Sequence, residues 1–207
     1  MTGIIAVNSI YVINRIKTEF PYMKGRKECL EIINYLEKSE FMQEASESCL
    51  VLLNGKTWLV REGAEIMDKL GWREFPNDIE FIGNPEEIYG YLDLPPENNK
   101  PLVINGNEAV IVTGWATLPE REETPNLVLL SKGENRSFFA NAYVVLDSPG
   151  LAKTLKSNRY KKARWQASFL GKDLGVGEGA IAAWVYDSKN QQFVKLNDEL
   201  KIEVKAP

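Results

Sequence analysis

Apolar residues recur at helical spacing in the first half of the chain. This period predicts a helix over residues 4–19 that ends at Pro21, because a proline lacks the backbone N–H that a helix needs. Three further helices are predicted over residues 26–38, 45–53 and 58–70. A loop with one short helix after Asn84-Pro85 and a linker at Pro95-Pro96 follow. We therefore expect a helical subdomain over residues 1–98.

From residue 101 the hydrophobic period changes from helical to alternating. In the last segment Leu200, Ile202 and Val204 point to one face, whereas Lys201 and Glu203 point to the other. The alternation predicts seven strands, over residues 110–118, 127–130, 137–145, 164–169, 180–186, 193–196 and 200–204. Seven short strands separated by turns are typical of an immunoglobulin-like sandwich. The predicted fold is α+β, with the helical subdomain followed by a seven-stranded immunoglobulin-like antiparallel β-sandwich over residues 99–207.

The distribution of charge favours the same division. Residues 1–98 carry ten basic and seventeen acidic side chains, whereas residues 99–207 carry fifteen basic and twelve acidic ones. The net charge is thus -7 before the predicted linker and +3 after it. We therefore expect residues 101–207 to fold without the first half.

The chain contains no histidine, which excludes several classes of catalytic site. Serine and cysteine triads, imidazole acid–base catalysis and His-containing zinc sites all need that side chain. No thiolate pair has ligand spacing, so we expect no metal and no cofactor. A carboxylate-dependent enzyme stays an alternative, which three acids in one pocket would support. The main expectation is a non-catalytic domain.

Cys29 and Cys49 admit two interpretations, because nothing in their spacing points to a metal site. They are either two buried free thiols or a disulfide, and a disulfide requires an oxidising compartment. The apolar run over residues 3–13 also stays open. It is too short to span a bilayer, for which about 20 residues are needed, so it is either a core helix or the end of a membrane segment.

Three aromatic residues form a candidate glycan-binding set. Trp184 and Tyr186 share one face of a predicted strand whose other face is also apolar, and Trp115 lies on a mixed strand face. If Trp115, Trp184 and Tyr186 share an open face, their flat rings can stack on sugars. The alternative is that they are buried against the N-terminal helices.

A basic segment over residues 153–164 contains no acid. Its cations are Lys153, Lys156, Arg159, Lys161, Lys162 and Arg164. The negative total charge and the absence of a binding motif argue against nucleic acid. Lipid headgroups or acidic glycans suit such a segment better, and a solvated loop is the remaining alternative.

Several short motifs recur in one order in a known family. They are Gly114-Trp115-Ala116, Val128-Leu129-Leu130, Leu151-Ala152-Lys153, Trp165, residues 183–187 and Phe193, and in the first half residues 26–30, Cys49, Val60-Arg61-Glu62 and Lys69-Leu70-Gly71. The chain resembles the C-terminal extracytoplasmic region of large bacterial polytopic membrane proteins, many of them described as glycosyltransferase-like.

This resemblance implies a domain outside the membrane and attached to it, in the periplasm or at the cell surface. It favours a Cys29–Cys49 disulfide over free thiols, and it makes the protein's own membrane portion a partner. A purely structural module that packs on that portion is the alternative to an interaction domain that binds a glycan or a lipid headgroup.

Overall fold

The computed structural model describes residues 2–37, 48–95, 100–133 and 137–206. Within them lie four α-helices: α1 (Thr2–Glu31), α2 (Ser48–Val51), α3 (Thr57–Lys69) and α4 (Pro149–Thr154). Helix α3 confirms the helix predicted over residues 58–70, and the left-handed Gly71 follows it. The first three residues of the predicted helix 45–53 lie outside the described part. No helix among the described residues is both long and apolar enough to cross a bilayer.

The predicted end of the first helix at Pro21 is wrong. Helix α1 passes through Pro21 and continues to Glu31, and a 3-10 turn over Ile33–Tyr35 follows it. A proline removes one intrahelical hydrogen bond, but packing can hold the turns that follow it. Here Gly25, Cys29 and Ile32 are buried after the proline. The helix predicted after Asn84-Pro85 is also wrong, because residues 83–89 form irregular bends.

Nine strands are present among the described residues. They are β1 (Glu80–Ile82), β2 (Gly90–Leu92), β3 (Leu102–Asn105), β4 (Ala109–Ala116), β5 (Leu127–Lys132), β6 (Ala140–Tyr143), β7 (Arg164–Leu170), β8 (Gly177–Asp187) and β9 (Gln192–Lys205). Five of the predicted strands correspond to β4–β8, and the last two are parts of the single strand β9. The sequence pattern missed β1, β2 and β3, which are only three or four residues long.

The predicted immunoglobulin-like sandwich is wrong, because the strands form one mixed sheet. Its order is β6-β5-β8-β9-β2-β4-β7, and β1 and β3 also pair with β9. One edge of β9 pairs with β8 in antiparallel fashion. The other edge pairs in parallel with β1, β2 and β3 in turn. Short strands from the first half of the chain therefore complete the sheet, which also rules out a purely helical first half.

The two outer strands of the sheet approach one another and give it a nearly closed, barrel-like shape. Leu146, just beyond β6, and Arg164, at the start of β7, form an antiparallel bridge. The Leu146 N–H donates to the Arg164 carbonyl at 3.0 Å, and the Arg164 N–H donates to the Leu146 carbonyl at 3.3 Å. The proposed division between residues 98 and 99 lies outside the described residues and stays a prediction.

Apolar side chains pack in two layers. The first fills the inside of the barrel and includes Trp165, which is fully buried as the alternation of its strand predicts. The second lies between the outer face of β5 and β8 and the N-terminal helical segment. Strand β5 is consequently buried on both faces, since residues 127–130 have no exposed surface.

Helix α1 lies very close to the sheet at Gly25. A Cβ atom at this position would lie 2.7 Å from the Tyr143 ring, so only glycine fits. Tyr22, one turn earlier, packs edge-on against the same ring at 5.0 Å between centroids. A disulfide between Cys29 and Cys49 then joins α1 to α2, as the family resemblance implies. These contacts fix the helical segment over one side of the barrel.

Candidate functional site

Trp184 and Tyr186 do not lie on an open face. Both point outward from the barrel, but the helical segment and β1 cover them, so that Trp184 is 9% and Tyr186 is 4% exposed. The Trp184 ring packs edge-on against Phe81, with centroids 5.4 Å apart, and its Nε1–H donates to the buried Ser131 hydroxyl at 2.9 Å. Burial raises the pKa of Tyr186 to about 12. Both rings belong to the packing of the fold.

Trp115 lies on a different outward face, and its partner there is Tyr91. The two residues are directly opposed in the β2–β4 pair, with ring centroids 5.5 Å apart and planes tilted by 38°. Both side chains are half-buried, so part of each remains accessible. The predicted set of three rings is therefore not formed. In its place the structure presents a two-ring surface, Tyr91–Trp115, which the sequence pattern missed because β2 is too short to predict.

Gly114 allows the strand beneath these rings to approach the barrel interior. A Cβ atom at this position would lie 2.5 Å from the Trp165 ring and 2.3 Å from the Tyr91 carbonyl oxygen. The buried tryptophan thus packs directly against the backbone that carries the half-buried one. This close packing holds Trp115 on a rigid strand rather than on a loop.

Polar side chains lie beside the two-ring surface on the same outward face. Arg164 is opposite Trp115 in the β4–β7 register and forms an ion pair with Asp93. Asp93 also accepts a hydrogen bond of 2.8 Å from the Thr113 hydroxyl. The exposed Gln166 lies opposite Thr113 in the same pair of strands. Amide, hydroxyl and charged groups therefore border the rings, as in sites that orient a polar ligand.

A groove of about 510 Å³ begins at the two rings. Its far wall is formed by α4 and the turn that follows, which contribute Leu151, Leu155, Lys156 and Tyr160 among others. Ile88, Pro119 and Glu122 line the near side. The groove lining is thus mainly apolar and includes one cation, Lys156, and one carboxylate, Glu122.

The six cations of the basic segment do not act as one surface. Lys156 lines the groove, and Arg164 pairs with Asp93 beside it. Arg159 lies 3.8 Å from the Glu122 carboxylate, between the groove and a second cleft that Lys162 also lines. Lys153 and Lys161 are exposed to solvent. Of the six cations selected from the sequence, Lys156 lines the groove that contains Trp115. The sequence pattern could not predict that the other cations lie at different parts of the surface.

Two of the groove residues have an unusual backbone. Lys156 (φ 53°) and Glu122 (φ 49°) are left-handed, a conformation that favours glycine. Lys156 is the residue after the C-cap of α4. Its N–H donates to the Lys153 carbonyl at 3.3 Å, and the Ser157 N–H donates to the Ala152 carbonyl at 3.0 Å. Non-glycine residues in such positions occur often at binding sites.

The second cleft, of about 920 Å³, lies between α1 and the loop after β4. Its charged residues include Glu28, whose carboxylate accepts a hydrogen bond of 2.6 Å from the Asn126 amide. Burial, with a smaller contribution from the nearby Glu31, raises the pKa of Glu28 to about 7, against the lowering effect of the Asn126 hydrogen bond. Arg121, also in this cleft, forms a 3.0 Å ion pair with the buried Asp187.

Four glutamates line this cleft, so it contains the three acids in one pocket that would support the carboxylate-dependent enzyme alternative. Most of them already have partners. Glu31 pairs with Lys27 and Arg73, Glu122 with Arg159, and Glu28 with Asn126. Over the described ranges, no group of three or more acidic, cysteine or histidine side chains could hold a metal ion.

Comparisons with known proteins give no family for this chain. No protein-family model matches it, and no curated protein matches it. Among solved structures, the endo-beta-1,4-mannanase from Thermotoga petrophila is similar with a TM-score of 0.35 and 13% sequence identity. The similar region covers 74% of this chain and 25% of that one, so the chain spans about a quarter of the mannanase. At this TM-score the likeness carries no argument about fold or activity.

Proposed function

We propose that this chain is a non-catalytic extracytoplasmic domain of a membrane protein and that it binds a glycan on the Tyr91–Trp115 surface. The observation that carries the proposal is the pair of opposed, half-buried rings on a rigid strand pair. Flat amphipathic rings stack on the C–H faces of sugars, and the neighbouring Asp93, Thr113 and Gln166 offer hydrogen-bonding groups for hydroxyls.

The covalent link between Cys29 and Cys49 supports the compartment in this proposal. Disulfides persist in secreted, periplasmic and surface proteins and are rare where thiols are kept reduced. A glycan-binding domain at that location meets cell-wall and surface polysaccharides. The proposed ligand is therefore present where the disulfide is stable.

Binding of oligosaccharides to the full chain, measured by calorimetry across a panel of neutral and acidic glycans, tests the proposal. Two rings give an expected dissociation constant in the micromolar to millimolar range, since each stacked pair is worth about 0.5–1.5 kcal/mol beyond area burial. Trp115→Ala should abolish the binding without unfolding the protein.

Trp72→Ala is the matched control, because Trp72 is 76% exposed and lies after α3, outside the groove lining. It should bind like the unaltered chain. Equal binding by the unaltered chain and Trp115→Ala would reject the site. Absence of binding to every glycan in the panel would reject the function.

A second function, a structural module that packs on its own membrane portion, is favoured by a separate observation. Helices α2 and α3 and the residues beside them expose large apolar side chains, namely Val51, Leu52, Leu53, Trp58, Leu59, Ile66, Leu70 and Trp72. Where such side chains form one large patch, the patch marks a site of contact with another protein or a membrane. Replacing Leu59, Ile66 and Leu70 by serine should then weaken co-purification with the membrane portion and leave glycan binding unchanged.

A further inference from the structure

The groove beside Trp115 carries a feature that goes beyond neutral sugar binding. Lys156 occupies the left-handed position at the end of α4, where glycine is the most stable residue. Within the described part of the chain, no carboxylate forms an ion pair with Lys156. A lysine in this position thus carries a backbone cost, and the residue lines the groove.

The groove lining has one cation, Lys156, and one carboxylate, Glu122. The acid that lines it, Glu122, lies 3.8 Å from Arg159, which offsets its charge. Lys156 then remains as the cation at the edge, in a segment of six basic residues without an acid. A ligand complementary to this groove has a flat C–H face for the rings, hydroxyls for Glu122 and one anionic group for Lys156.

We propose that the groove selects an acidic glycan whose sugar carboxylate pairs with Lys156 while its ring stacks on Trp115 and Tyr91. This inference rests on the proposed glycan-binding function and names its ligand class. A sugar acid fits better than a lipid headgroup, because a glycerophosphate has no flat ring face to cover the aromatic pair. The ammonium–carboxylate contact is a charge-assisted hydrogen bond, which is stronger than a neutral one.

Trisaccharides of galacturonate, mannuronate and glucuronate, each compared with its methyl ester, test the selectivity on the full chain by calorimetry. The ester keeps the ring and hydroxyls but removes the charge. At least one free acid should bind about three- to fivefold more tightly than its ester, because an ion pair to an exposed lysine is worth up to about 1 kcal/mol. That preference should decrease as sodium chloride is added.

Three variants separate the role of Lys156 from its effect on folding. Lys156→Gly and Lys156→Asn should remove the preference for the acid, because both residues tolerate the left-handed backbone without the cation. Lys156→Gly should also melt at the same or a higher temperature. Lys156→Arg should retain the preference. Lys153→Asn changes the net charge equally in the same segment and should retain it as well.

The outcomes distinguish this inference from the function on which it rests. Equal affinity for acid and ester, both lost in Trp115→Ala, would overturn the acidic selectivity and leave glycan binding intact. A preference for the acid that survives in Lys156→Gly and Lys156→Asn would overturn the role of Lys156. Tighter binding of soluble glycerophosphoglycerol than of any sugar acid would assign the groove to a headgroup. Binding of neither acids nor esters would overturn both proposals.

Discussion

The barrel has two outward faces that carry aromatic side chains, and they differ in what lies over them. On β8, Trp184 and Tyr186 are covered by the helical segment and by Phe81 of β1. On β2 and β4, Tyr91 and Trp115 have no such cover and border a groove. Similar residues in similar strand positions therefore serve packing on one side and remain accessible on the other. The difference arises from segments distant in sequence.

Because the first half of the chain packs on the covered face, we expect the second half to depend on it for stability. A fragment of residues 101–207 would lack β1, β2 and all of α1 and α3, and would leave Leu127, Leu129 and Trp184 in water. We expect it to bind hydrophobic dyes and to show no cooperative thermal transition, which calorimetry can measure. A sharp transition for this fragment would instead support the two-domain division that the sequence predicts.

The disulfide should stabilise the covered face and leave the open face unaffected. Replacing both Cys29 and Cys49 by alanine should lower the free energy of unfolding by about 3 kcal/mol, the chain-entropy value for a loop of this size. Urea denaturation measures the loss, and alkylation with mass spectrometry confirms the oxidised pair in the unaltered protein. Below the transition, glycan binding at Trp115 should be unchanged. A parallel loss of binding would show that the two faces are coupled.

Glu28 gives the covered side a dependence on pH. Its pKa is about 7 in the folded protein and 4.5 as an ordinary value, so between these pH values the folded state keeps a proton that the unfolded state has lost. This contribution to stability is fully present below pH 4.5 and is lost as the pH rises to 7.

The Glu28→Gln variant removes this titration. At pH 8 it should be more stable than the unaltered chain by about 1–3 kcal/mol, and its stability should change less between pH 4.5 and 7. Urea denaturation at several pH values checks both. Glu178→Gln, at an exposed position on β8, controls for the change of charge. An identical pH profile for Glu28→Gln and the unaltered chain would contradict the buried carboxyl.

Local patterns in the sequence predicted much of the fold. Strands β4 to β8 and helix α3 follow from alternation, helical period and turn residues. Pairing did not follow from them, because β9 forms parallel pairs with three strands too short to have a readable period. Pairing between strands that are far apart in the sequence leaves no pattern in either strand from which it could be predicted. The mixed barrel-like sheet could therefore not be predicted from the sequence, although most of its strands could.

The candidate site was predicted in part. Trp115 and Lys156 were selected from the sequence, and they lie in one groove. Tyr91 was missed because β2 could not be predicted, and Trp184 and Tyr186 were included because an outward strand face looks the same whether or not a distant helix covers it. A strand that is apolar on both faces, such as residues 181–186, predicts a second layer of packing as well as it predicts an open platform.

The contrast between the two faces is tested most directly by the free energies of unfolding of Trp184→Ala and Trp115→Ala, measured side by side in urea. Loss of the covered ring should cost about 3–5 kcal/mol, as truncation of a core aromatic does. Loss of the half-buried ring should cost roughly 1 kcal/mol, because less apolar surface leaves water there. Equal losses, or a larger loss for Trp115→Ala, would contradict the division into a covered face that stabilises the fold and an open face that is free to bind.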